Sequence, residues 1–123
     1  MGHPQQAVAG YAALDASMLS PGRAEALVFT KVTRRLEHAF GDTAVAATTR
    51  VTALHDNRRL WHAVAIACSD DDNAMPDAMR ANLISLAGFV DRTTSAVLAG
   101  TSEPNALFEI NRRIAAGLSS EAV

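Results

Sequence analysis

A chain of 123 residues falls within the usual size of one domain and holds no linker long enough to divide it, so residues 1–123 are read as a single domain. Apolar residues make up 49% of it and aromatics only 5%, a balance that favours close-packed helices over a sheet. The formal charge of −2 and pI near 6.0 exclude a bulk attraction to nucleic acid or anionic membrane, and a lone cysteine, Cys68, excludes an internal disulfide.

The N-terminus, Met1-Gly2-His3-Pro4, lacks the basic region and apolar run of a secretory signal, and no apolar stretch approaches the roughly 18 residues of a membrane span. A cytoplasmic location is expected. Gln5 to Ser17 is alanine-rich but interrupted by Gly10, and reads either as a short helix or as part of a loosely docked arm over residues 1–19. Ser20-Pro21 then opens the first clear helix, with serine suited to cap free N–H groups and proline pre-set for the first helical position. Gly41 ends it. At about 100° per residue Val28, Val32, Leu36, Ala39 and Phe40 share one side, with Phe29 at the margin and Glu25 projecting into the apolar arc.

The second helix is expected from about Val45 to Cys68, with Val51, Leu54, Trp61, Ala65 and Cys68 in a stripe that Leu60, Val64 and Ala67 widen. Ser69 to Met75 is a loop. Pro76 and Asp77 start a third helix reaching about Ala99, where Gly100 stops it; Met79, Leu83, Leu86, Val90 and Val97 form its core side. After Pro104 a last helix runs to about Gly117, with Leu107, Ile110, Ile114 and Leu118 in line. The expected fold is all-α, a compact bundle of four main helices behind a short N-terminal arm.

No constellation for catalysis is visible. There is no phosphate-cradling glycine loop, Rossmann fingerprint, Gly-x-Ser-x-Gly elbow or His-Glu-x-x-His pair, and Cys68 has no second cysteine at a ligand spacing. A non-enzymatic protein without metal or cofactor is expected. Ser69-Asp70-Asp71-Asp72-Asn73 lacks the turn glycine and distal glutamate of a calcium loop, and His55 and His62 read as surface imidazoles. The pairs Arg34-Arg35, Arg58-Arg59 and Arg112-Arg113 place neighbours about 100° apart, so each is expected to offer one outward charge per surface. Without interleaved aromatics for base stacking, direct nucleic-acid binding is disfavoured.

Asn57 is the most informative polar residue, because its helix places it between the apolar rows that contain Trp61 and Leu60. A buried amide left unpaired costs about 1–3 kcal/mol, so Asn57 is expected to bond to a helix end or loop backbone and thereby fix how the elements dock. Arg58 lies at the rim of that face with Glu25 as its expected partner. Trp61 is expected in the core with its indole N–H on backbone. Ile84, Phe89 and Phe108 fall off the main stripes of their helices. They are candidates for a second apolar surface, unless a bundle with several contact faces buries them.

Asn57-Arg58-Arg59-Leu60-Trp61, Asn73-Ala74-Met75-Pro76 leading into Arg80-Ala81-Asn82-Leu83-Ile84-Ser85-Leu86, and Ile110-Asn111-Arg112-Arg113-Ile114-Ala115-Ala116-Gly117-Leu118 together resemble the FlaF flagellar biosynthesis regulators. The likeness extends upstream through Tyr11, Ser20-Pro21 and Glu25-Ala26. It departs at Gly22-Arg23-Ala24, where the family has an Arg-Glu-apolar run, and in the charge-poor segment from Asp42 to Thr52. The resemblance implies a flagellin-binding chaperone that promotes flagellin production, export and filament assembly, with flagellin as partner and FlbT and the export machinery as further ones. Its alternative is a post-transcriptional regulator contacting flagellin messenger directly or through FlbT. Asn57, Arg58, Trp61, Glu25, Asn82 and Asn111 are read as structural anchors, and the off-stripe Ile84, Phe89 and Phe108 as candidate flagellin-binding residues.

Overall fold

The structure, a computed structural model, describes the backbone of residues 21–122 and the side chains of residues 25–118. The expected arm over 1–19, Tyr11 and the Ser20 cap lie outside them. Four helices follow one another: α1 Pro21–Phe40, α2 Ala47–Ser69, α3 Asp77–Leu98 and α4 Asn105–Ala122, and no strand occurs among the described residues. The expected all-α bundle is the fold that forms.

The helix ends are closed by side chains more than by glycines. Past Phe40 the chain turns through Asp42, whose carboxylate accepts the Ala44 N–H at 2.8 Å, and this turn delays α2 to Ala47. Arg50 reaches back from α2 to donate to the carbonyls of Ala39 and Asp42, both at 3.1 Å, and lies over the Phe40 ring, so one guanidinium fastens the α1–α2 corner. At the far end of α2, Asn73 donates to the Ala67 carbonyl at 2.9 Å while Arg80 donates to the carbonyls of Cys68 and Asp70. These satisfy carbonyls that have no partner within the helix. α3 ends in a Schellman turn, with the Thr101 N–H on the Ala96 carbonyl, the Gly100 N–H on the Val97 carbonyl and Gly100 at φ +78°. α4 continues past its expected stop at Gly117, because an exposed helical glycine costs only about 1 kcal/mol and nothing there forces a left-handed turn.

α1 packs chiefly on α4 and also on α2, α2 packs on α3, and α3 and α4 meet sparsely. Neighbours run antiparallel: Phe40 faces Phe108 at 6.4 Å between ring centroids, Glu37 pairs with Arg112, and Phe29 meets Trp61 edge-on at 5.5 Å. The order around the bundle is therefore α4, α1, α2, α3, with a loose closure between α3 and α4. Val28, Phe29, Val32, Leu36 and Ala39 of α1 share the core with Leu54, Leu60 and Trp61 of α2, Ala87 and Val90 of α3, and Leu107 of α4. Phe29, expected at the margin, is buried against Trp61. Val51, expected in the α2 stripe, is 42% exposed, since the buried arc of α2 centres on Asn57, Leu60 and Trp61 and turns Val51 outward. Met79 is half-exposed in the first turn of α3.

Candidate functional site

Asn57 on α2 and Asn111 on α4 are both without solvent exposure, although their helices lie diagonally across the bundle and have no close backbone approach. Their side chains span the gap. Asn111 Nδ2 donates to Asn57 Oδ1 at 2.6 Å, and the Trp61 indole Nε1–H donates to Asn111 Oδ1 at 2.8 Å. The order of this chain is set by chemistry. An indole N–H only donates, so the Asn111 carbonyl must face Trp61, its amide nitrogen must face Asn57, and the Asn57 carbonyl must receive it. Asn57 Nδ2 is then left buried with no partner. Two expectations are corrected here: Asn57 and Trp61 bond a side chain on the opposite helix and not backbone, because the α2–α4 diagonal is too wide for backbone to reach.

Arg58 does not pair with Glu25. The short turn after α2 brings α3 alongside it, and Arg58 Nη2 donates to Ser95 Oγ at 2.7 Å and to the Asp91 carbonyl at 3.2 Å, with Nε 3.1 Å from Asp91 Oδ1. That last contact is an ion pair without a well-aligned N–H bond, since Nε has no hydrogen-bond partner. His62 Nε2 lies 3.2 Å from the same Asp91 oxygen, so one carboxylate joins two residues of α2 to α3. Glu25 is exposed on α1 and does not project into the core; it and burial both push the Cys68 thiol up, burial more strongly, while Arg80 opposes them. Arg80 itself is held above its ordinary range, first by its hydrogen bond to Asp77. Asn82 is exposed and makes no side-chain hydrogen bond among the described residues, because it lies on the flank of α3 and not on its core side.

The three candidate surface residues do not share a face. Phe108 is partly buried against Phe40 on the α1 side of α4. Ile84, 40% exposed, lies two turns before Asp91 and so on the flank of α3 that meets α2. Phe89, also 40% exposed, is about 200° from Asp91 around the helix and so lies on the side of α3 away from α2. Ile110 and Ile114 stand on the flank of α4 opposite Arg112, and both are half-buried. Leu86 adds a third half-buried apolar side chain, on the α3 side.

The arginine pairs differ in their engagement. Arg59 pairs with Asp56, Arg112 with Glu37 and Arg113 with Glu109. Arg34 and Arg35 make no ion pair among the described residues, and both line one groove between α1 and the start of α2. The expected single outward charge per surface is corrected there, because the groove is wide enough to take both neighbours. Sequence reading also missed Arg50, Arg80 and Asp91. Arg50 and Arg80 each stand in the first turn of the helix that follows the end they fasten, the available signal, whereas the pairing of Asp91 depends on the register of α3 against α2.

Among the described residues no group of three His, Cys, Asp or Glu side chains is placed to hold a metal ion, and no helix is long and apolar enough to cross a membrane. A family model described as flagellar protein FlaF matches residues 7–118. No curated protein and no solved structure matches the chain.

Proposed function

The chain belongs to the FlaF family of flagellar proteins, and from that premise we propose that it is a non-enzymatic chaperone that binds flagellin in the cytoplasm and holds it for export and filament assembly. The observation that carries this reading is the α3/α4 seam. Three sides of the bundle are closed by close helix packing, and on the fourth α3 and α4 meet sparsely, with half-buried Leu86 on one helix, half-buried Ile110 and Ile114 on the other, and exposed Phe89 on the side of α3 away from α2. A seam of this kind fits the apolar stripe of an amphipathic helix, as grooves between helices do in other peptide-binding proteins. Flagellin's terminal segments form such helices in the filament, and before export their stripes need covering.

The buried asparagine network supports the same role from within. It ties α2 to α4 across the bundle, so the position of one wall of the seam depends on Asn111. Binding of monomeric flagellin at tens of micromolar or tighter is expected, and F89D should weaken it by about tenfold or more with little change in melting. I84D, on the other flank of α3, should bind as the parent does. If F89D binds flagellin normally, or if I84D alone abolishes binding, the seam is not the site; if the parent protein does not bind, the chaperone reading fails.

A further inference from the structure

The groove between the second half of α1 and the first turns of α2 is unlike the rest of the surface. It is an open, shallow groove of about 480 Å³ lined by Arg34, Arg35, His38, Thr48, Thr49, Thr52, Ala53 and Asp56. Arg34, Arg35 and His38 are exposed and make no ion pair among the described residues, although most other arginines of the bundle have an acidic partner. The threonines are equally uncommitted. Thr33 and Thr94 donate to the carbonyl one turn back at 2.6 Å, whereas the hydroxyls of Thr48, Thr49 and Thr52 bond to nothing among the described residues. At this same place α2 begins without a side-chain cap and without an acidic residue in its first turn.

We infer that this groove is a second docking site, separate from the α3/α4 seam, and that it takes a carboxylate-bearing segment of a protein partner. Two unpaired guanidinium groups lining one groove supply donors suited to carboxylates, and the free hydroxyls add donors along the opposite wall. The methyl groups of three threonines, Ala53 and the arginine stems give the remaining walls an apolar character, which suits small aliphatic residues between the acids.

Nucleic acid fits the same groove less well. No aromatic ring lines it for a base to stack on.

The test is an amide NMR titration of the full chain with a short peptide alternating Glu with Ala, beside the same peptide with Gln for Glu and a short single-stranded RNA. The Glu peptide should shift the amides of Thr48, Thr49, Thr52 and Ala53, weaken with added salt, and lose about tenfold in affinity on R34E/R35E. R113E, on α4, should leave binding unchanged, and the neutral R34Q/R35Q variant should show the same loss if charge reversal disturbs folding. No shifts up to about 1 mM peptide at low salt, shifts confined to another surface, or equal binding of the Gln peptide would overturn the proposal. Tighter binding of the RNA than of the Glu peptide at these residues would overturn it in favour of a phosphate-binding groove. Flagellin binding through the seam is read by F89D and not by these variants, so the two readings fail separately.

Discussion

Trp61 offers one donor at its indole nitrogen and no acceptor, and that one-way chemistry propagates through Asn111 to Asn57. The two asparagines are therefore unequal. Replacing Asn111 by leucine strands both the Trp61 N–H and the Asn57 carbonyl, at about 2–4 kcal/mol for two buried groups left unpaired. Replacing Asn57 by leucine strands only the Asn111 amide nitrogen and removes a nitrogen that had no partner already, so the loss should be smaller by about 1–2 kcal/mol. Urea denaturation of the two variants measures this, and equal losses would show that the order of donors is wrong. Cys68 gives a second prediction at this scale. Its thiol is held above the ordinary range by burial, so the folded chain keeps the proton after the unfolded chain has lost it. Stability is then complete below the unfolded thiol's pKa and falls as pH rises through the folded one. Above about pH 8.5 the parent should lose stability relative to C68A, and a constant difference across that range would contradict the assignment.

Along each helix, what was legible in the sequence was the punctuation. Gly41, Pro76-Asp77 and Gly100 bracketed the described elements because glycine and proline act locally, through φ and a missing donor. Gly117 misled for the same reason that Gly100 did not. Of the two, only Gly100 takes a positive φ, and only a backbone that turns left-handed requires glycine. G100A should destabilise by about 1 kcal/mol, although the new methyl meets nothing within 4 Å, while G117A should stabilise by about 0.5–1 kcal/mol by improving the helix. Thermal melts of both variants check the contrast, and a shift of the same sign in both would contradict it. Less legible was rotation about the helix axis. Of the α2 stripe drawn from Val51, Leu54 and Trp61, only Val51 falls outside the buried arc, and the polar asparagine at the centre of that arc hides its true position from an apolar count.

At the scale of the whole molecule, sequence could name the residues that matter without saying which would meet. Asn57 and Asn111 stand 54 positions apart in different blocks, and their contact depends on how α4 crosses the diagonal of the bundle. Ile84, Phe89 and Phe108 looked alike as residues off their stripes, yet helix order sends them to three different surroundings. The Arg34 and Arg35 groove was hidden for the same reason, since its second wall comes from α2.

This arrangement gives the proposed chaperone three separable parts: an internal clasp that sets shape, a seam for an amphipathic helix, and a charged groove for an acidic segment. The most direct test of the central claim is the molar mass in solution of the protein alone, of flagellin alone and of their mixture at tens of micromolar. The account predicts a complex with the summed mass of the two chains, lost on F89D and kept on R113E. Unchanged masses in the mixture, with both proteins folded, would contradict it.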